Sequence, residues 1–156
     1  MADGSVAADY ARLGVSEDAR GTWRLECTAN EHFALCSTYP SVLAIPSDAT
    51  PAMLTAVAAY RSRGRIPVLC WRDPTGAAGH LARCAQPSKG IQGKHSKADE
   101  AWVRLLRSSA GEDRRFVILD CRSYAAAHAN RFRGGGVERP TRYGVQTIEY
   151  CRLRAS

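Results

Sequence analysis

Six cysteines stand at positions 27, 36, 70, 84, 121 and 151, and a cysteine thiolate is a potent nucleophile. Thiol attack on a phosphate ester calls for a Cys-x5-Arg loop. The loop amides and the arginine cradle the phosphate, and the same field lowers the thiol pKa. No cysteine here meets that demand. Six residues beyond the first five stand Phe33, Val42, Gly76, Gly90 and Ala127, and the sequence has no sixth residue after Cys151. There is no Gly-x-Ser-x-Gly elbow and no Walker-type phosphate loop. Cys70, His80 and Cys84 are close in sequence, but their spacing fits no common metal site. Cys70, Cys84 and Cys121 are therefore expected to pack in or beside strands as small hydrophobes. No catalytic residue, metal site or other cofactor is assigned.

The stretch most able to present polar groups is 116–138, FVILDCRSYAAAHANRFRGGGVE. Four large apolar residues, Phe116 to Leu119, predict a buried strand. Asp120-Cys121-Arg122 follow, then an alanine-rich helix, then three glycines. Alpha/beta proteins bind ligands at the carboxyl ends of such strands. Asp120 is in position to act as a base, but capping the next helix or pairing with an arginine is the more ordinary role. Ala125, Ala126, Ala127 and Ala129 let the helix sit close to what it covers. Gly134-Gly135-Gly136, flanked by Arg131 and Arg133, suits either an anion-binding nest or a tight turn between layers. His32, His80, His95 and His128 each stand singly, with His128 nearest the glycines.

These groups must be held by a chain of 156 residues, enough for one domain with a real core. The net charge is +7, and the only lysines are Lys89, Lys94 and Lys97. That excess implies attraction to phosphates. The arginines are scattered, with no aromatic stacking platform between them, which argues against nucleic acid as a partner. No basic segment leads into an apolar one at the N-terminus, and no apolar run approaches the roughly 20 residues of a membrane span. A cytoplasmic location with reduced thiols is expected.

In order along the chain, residues 1–20 read as a loosely ordered lead-in, with one helical turn at Tyr10 to Gly14. Trp23 to Cys27 alternates as a half-buried strand. Asn30 to Leu35 reads as a turn, and Val42 to Ile45 as a buried strand closed by Pro46. Ser47 to Thr50 and Pro51 open a helix whose buried stripe is Met53, Leu54, Val57 and Ala58, and which Gly64 ends. Arg61, Arg63 and Arg65 then form a solvated cap. Pro67 to Trp71 and His80 to Cys84 make a hairpin about the Asp73-Pro74-Thr75-Gly76 turn. Ser96 caps a helix in a variant capping box with Asp99, and Trp102, Leu105 and Leu106 form its buried face. Val145, Ile148 and Cys151 fit a helix face, while Thr147 and Tyr150 leave a strand open. Helices alternating with short strands define an α/β fold.

Several stretches resemble the myotubularin family. Leu35-Cys36-Ser37-Thr38-Tyr39-Pro40 with Ile45-Pro46 resembles its "L-C-x-T/S-Y-P … V-P" segment, and Tyr60 through Trp71 is similar to "F-R-S-R-x-R-I-P-V-L-S-W". Arg83-Cys84-Ala85-Gln86-Pro87 with Gly90 matches "R-C-S-Q-P-x-x-G". Lys94, Ser96, Lys97, Asp99 and Glu100 follow "K-R-S-K-x-D-E". Asp120-Cys121-Arg122 stands for "D-A-R", and Ala129-Asn130 with Gly134 to Glu138 resembles "A-N-x-x-x-G-G-G-Y-E". The motifs run in order from about Asp9 to Leu153.

The resemblance implies a phosphoinositide 3-phosphatase, which acts on phosphatidylinositol 3-phosphate or 3,5-bisphosphate through a phosphocysteine. It implies a partial cysteine-phosphatase-like sheet flanked by helices, with residues 21–156 as an incomplete phosphatase domain truncated before the catalytic loop. It assigns Asn130 to the lipid head group as the substrate-binding residue. The family's "C-S-x-G-W-D-R-T" loop lies downstream of the glycines and has no counterpart here, so the chain is expected to be inactive alone. Ala155 and Ser156 stand where the family has the Asn and Ile of "H-N-I-H". The alternative is a non-catalytic binding module, either an adaptor that pairs with an active myotubularin or a phosphoinositide-binding pseudophosphatase. Either reading places the chain in the cytoplasm, peripheral on endosomal membranes. A sheet cut partway leaves uncovered edges and apolar faces, so aggregation or a partner is expected for the isolated chain.

Overall fold

The structure, a computed structural model, describes residues 3–15, 21–75, 79–111, 114–145 and 147–151. It is α/β, as the sequence implies, and its strands pair as three two-stranded ladders. Strand β1 (Trp23–Glu26) runs antiparallel to β2 (Leu43–Pro46), with Trp23 opposite Pro46 and Glu26 opposite Leu43. Strands β3 (Val68–Arg72) and β4 (His80–Arg83) form the expected antiparallel hairpin. Its register shifts between Leu69 and Trp71, so Cys70 is an extra, bulged residue. Strands β5 (Ile118–Asp120) and β6 (Ile148–Tyr150) are parallel, so Ile148 to Tyr150 is strand rather than helix. Ala155 and Ser156 lie outside the described residues, as does Gly76 of the hairpin turn.

The core is built around β2, where Leu43, Ala44 and Ile45 are fully buried. Helix α2 (Pro51–Tyr60) covers it with Leu54 and Val57, starting at Pro51 with Thr50 Oγ1 accepting from the Met53 amide at 3.2 Å. Helix α3 (Lys97–Ala110) contributes Trp102, Val103 and Leu106, while Leu105 is only half-buried. Trp102 can be fully buried because its indole Nε1 donates to the Pro67 carbonyl at 2.8 Å. Asn30 is also fully buried. Its Nδ2 donates to the Pro40 carbonyl at 2.7 Å, and its Oδ1 accepts from the Cys36 amide at 2.7 Å, which closes the 30–40 loop. Cys36 is the buried cysteine of the set.

Several details depart from expectation. Helix α1 (Asp3–Arg12) occupies much of the segment read as a loosely ordered lead-in, and Tyr10 and Val15 enter the core. Helix α2 stops at Tyr60, four residues short of Gly64. Arg61 turns extended, and a 3₁₀ turn spans Ser62–Gly64. Gly64 has φ +66°, and a Cβ there would collide with the Leu35 carbonyl, so glycine is required twice over. The 116–119 run is not buried: Phe116, Val117 and Ile118 are half-buried and Leu119 is 53% exposed. Cys70, Cys84 and Cys121 lie in or beside strands but are exposed rather than packed as core hydrophobes. Helix α4 (Tyr124–Ala129) buries only Ala127 of its alanines. Trp71 and Leu81, opposed on the hairpin, are exposed apolar residues. Among the described residues no helix is long and apolar enough to cross a membrane.

Burial pushes the Tyr39 and Tyr60 hydroxyls up to about 12. Their folded pKa values lie above the ordinary value of 10, so the stability they carry is complete below about pH 10 and is lost as pH rises through about 12. Denaturant unfolding midpoints should therefore fall steeply between about pH 10 and 12. Tyr39→Phe should flatten part of that fall; an equally steep fall in the variant would exclude Tyr39 as a source.

Candidate functional site

The site forms where β5 ends. Asp120 and Arg122 do not use their charges on solvent. Arg122 Nε donates to Asp120 Oδ1 at 2.9 Å and Nη2 donates to Asp120 Oδ2 at 2.6 Å. Burial alone would raise the Asp120 carboxyl pKa, but the hydrogen bonds from Arg122 outweigh it and hold the carboxyl below its usual range. The arginine-paired reading of Asp120 therefore holds, and Ser123 rather than Asp120 caps α4, through the Ala126 amide at 3.3 Å. Arg122 Nη2 also donates to the Gly136 carbonyl at 3.1 Å, and Nη1 donates to Gln86 Oε1.

Gln86 is the hub that the residue pattern alone did not single out. Its Oε1 accepts from Arg122 and also from Asn130 Nδ2 at 3.0 Å, so one amide joins the β5 end to the end of α4. Asn130 follows α4 and opens a 3₁₀ turn, Asn130–Arg133, that Gly134 closes at φ +86°. An open groove of about 410 Å³ runs along this edge, lined by Arg122, Ala126, Ala129, Asn130, Phe132 and Arg133. A second groove of about 390 Å³ adjoins it across Ala129 and Phe132. Among the described residues no carboxylate lines either one.

The glycines form a turn between layers. The amides of Gly134 and Gly135 bond back to the carbonyls of Arg131 and Asn130, at 3.2 and 3.0 Å. Their own carbonyls accept from the Gly90 amide at 3.0 and 3.1 Å. A Cβ on Gly135 would lie 2.6 Å from the Gln86 amide group, and one on Gly136 would lie 3.0 Å from Lys89 Cβ. His128 stacks on Tyr124 with ring centroids 4.0 Å apart.

Behind the groove lies a buried ion cluster. Arg61, read from sequence as part of a solvated cap, is only 2% exposed. Its Nε and Nη2 each donate to an Asp99 carboxylate oxygen at 2.7 Å, and its Nη1 donates to Glu138 Oε1 at 2.5 Å and to the Ala85 carbonyl at 2.9 Å. Tyr143, in α5 (Pro140–Tyr143), donates its hydroxyl to Asp99 Oδ2 at 2.6 Å. The Asp99 amide is capped by Ser96 as expected, at 3.3 Å, but its carboxylate serves this cluster rather than a capping box. Arg63 is exposed, as a solvated cap would be, while Arg65 Nε donates to Thr38 Oγ1 at 2.8 Å. Burial would lower the Arg61 pKa, and the neighbouring Cys84, Glu138 and Asp99 outweigh it, so the guanidinium is firmly charged. Cys84 Sγ lies 3.5 Å from Arg61 Nη1. Part of Cys84 reaches the surface, yet enclosure of its sulfur pushes the thiol up to about 11, which leaves it unreactive despite the adjacent cation.

This α/β frame, with a groove at a strand end lined by Arg122 and Arg133, is suited to hold an anionic ligand. Residues 3–155 match the family model of the myotubularin-like phosphatase domain, and the chain belongs to that family. It is 41% identical over 135 residues to a phosphatidylinositol-3,5-bisphosphate 3-phosphatase, MTMR2, of Gallus gallus, covering 86% of this chain and 23% of the relative. It is 37% identical over 145 residues to myotubularin of Rattus norvegicus, covering 93% of this chain and 23% of the relative. The chain thus spans about a fifth of the length of the curated relatives it matches.

Gly135→Ala should displace the Gln86 amide and release Asn130 and Arg122 together, at a cost of about 1–3 kcal/mol in unfolding free energy. Shifted Asn130 side-chain amide resonances in a two-dimensional NMR spectrum would report the displacement. Unmoved resonances would show that Gln86 does not bridge the two residues.

Proposed function

We propose that this chain is a segment of a phosphoinositide 3-phosphatase domain. The parent activity is removal of the 3-phosphate from phosphatidylinositol 3-phosphate or 3,5-bisphosphate. The observation that carries the reading is the convergence of Arg122 and Asn130 on Gln86 at a groove that Arg133 also lines and that no carboxylate among the described residues enters. Such a wall favours a multiply anionic head group. Asn130 is the head-group residue in this proposal, and Gln86 and Arg122 position it. The relatives' names, which specify a 3-phosphatase of phosphatidylinositol 3,5-bisphosphate, support the substrate class.

No cysteine in the sequence has an arginine six residues on. The chain by itself therefore supplies sheet, frame and head-group wall, and the nucleophile is not among its residues. Residues 21–156 represent part of a phosphatase domain with a cysteine-phosphatase-like sheet. The place of action is the cytoplasmic surface of membranes bearing 3-phosphorylated inositides, endosomes foremost. The alternative reading is a non-catalytic adaptor or a phosphoinositide-binding pseudophosphatase module.

A chimera separates the two. The matching segment of the Gallus gallus relative is replaced by this chain, and phosphate release from phosphatidylinositol 3-phosphate is measured. The enzyme-segment reading expects activity, and Asn130→Ala in the chimera should lower kcat/KM by about tenfold or more. A chimera that melts cooperatively but releases no phosphate would favour the non-catalytic partner.

A further inference from the structure

Phe132 and Ile91 are the most exposed large apolar side chains among the described residues, at 79% and 67%. They line the same groove with Ala129, His128 and Arg131. The segments that carry them are tied together, since the Gly90 amide donates to the carbonyls of both Gly134 and Gly135. Two apolar tips are thus fixed side by side on short backbone turns. Exposure of this kind, concentrated at one edge, marks a contact surface.

The surroundings say which surface. Arg131 and Arg133 flank Phe132 in sequence and are exposed, and Arg139 is exposed nearby in the chain. Among the described residues none of these three arginines forms an ion pair. Glu138, the adjacent carboxylate, is turned inward onto Arg61. Lys89 runs beneath Gly136, and burial followed by the charges of Arg139 and Arg131 lowers its ammonium pKa, as a positive local field requires. Apolar tips ringed by uncompensated cations complement an anionic bilayer, whose head groups meet the arginines while the tips enter the acyl boundary.

We propose that Phe132 and Ile91, with Arg131 and Arg133 beside them, form an edge that docks on an anionic lipid bilayer. The inference rests on the lipid reading of the adjoining groove for its purpose: a docked edge would bring the Asn130 side of the groove to the membrane surface. Docking itself needs no phosphoinositide, which allows the two claims to be tested apart.

The test is flotation of the full chain with vesicles of phosphatidylcholine alone, of phosphatidylcholine with phosphatidylserine, and of that mixture with phosphatidylinositol 3-phosphate. Binding to the phosphatidylserine vesicles, and little to phosphatidylcholine alone, is expected, with weakening in high salt. Phe132→Ser and Ile91→Ser should each lower the partition by about tenfold. Arg131→Gln and Arg133→Gln should each lower it by about fivefold. Parent-like binding by both serine variants would overturn the proposal, as would no binding by the parent chain. So would a change confined to oligomeric state in size-exclusion with light scattering, which would mark the edge as a protein contact. An increment from phosphatidylinositol 3-phosphate that Asn130→Ala removes reports on the head-group assignment alone, so either claim can fail while the other stands.

Discussion

A guanidinium at 2% exposure is costly unless every charge and proton around it is matched, and Arg61 sets that condition for this chain. Its partners come from distant parts of the sequence: Asp99 at the start of α3, the Ala85 carbonyl after β4, and Glu138 beyond the glycine turn. Tyr143 completes the shell from α5 through Asp99. Removing any one partner leaves a charge unsatisfied in a low-dielectric interior. The cluster therefore specifies how the α2–α3 core meets the segment that carries the groove.

The groove follows from that fixed meeting. Gln86 stands next to Ala85, which Arg61 holds, and Gly136 stands two residues from Glu138, which Arg61 also holds. With both anchored, the Gln86 amide has room to lie against Gly135 only because that residue lacks a Cβ. From there Gln86 collects Arg122 and Asn130. Four of the five Arg122 N–H groups go to Asp120, Gln86 and the Gly136 carbonyl, so it acts as a strut. Asn130 and Arg133 line the groove beside it.

Much of the frame was legible from residue types. Thr50-Pro51 and Ser96 announce their helices through local capping chemistry, and the β3–β4 hairpin follows from apolar runs around Asp73-Pro74. The pairing of Asp120 with an arginine was a sound default. The failures share a cause: they depend on contacts far apart in sequence. Arg61 has the composition of a helix cap, and nothing local reveals carboxylates 38 and 77 residues away. Asp99 suits a capping box equally well by spacing. Gln86 sits in a loop without periodicity, and only its place in the family-like "R-C-S-Q-P" stretch marked it. The 116–119 run reads as a buried strand because periodicity cannot say how many neighbours a strand has, and β5 is paired with β6 alone among the described residues.

The Arg61 cluster couples the core to the groove-bearing segment. A double-mutant cycle between Arg61→Met and Glu138→Gln, read as denaturant unfolding free energies of the full chain, tests it most directly. Single-variant losses of about 3–5 kcal/mol and a coupling energy of about 2 kcal/mol or more are expected. A coupling energy within about 0.5 kcal/mol of zero would contradict it.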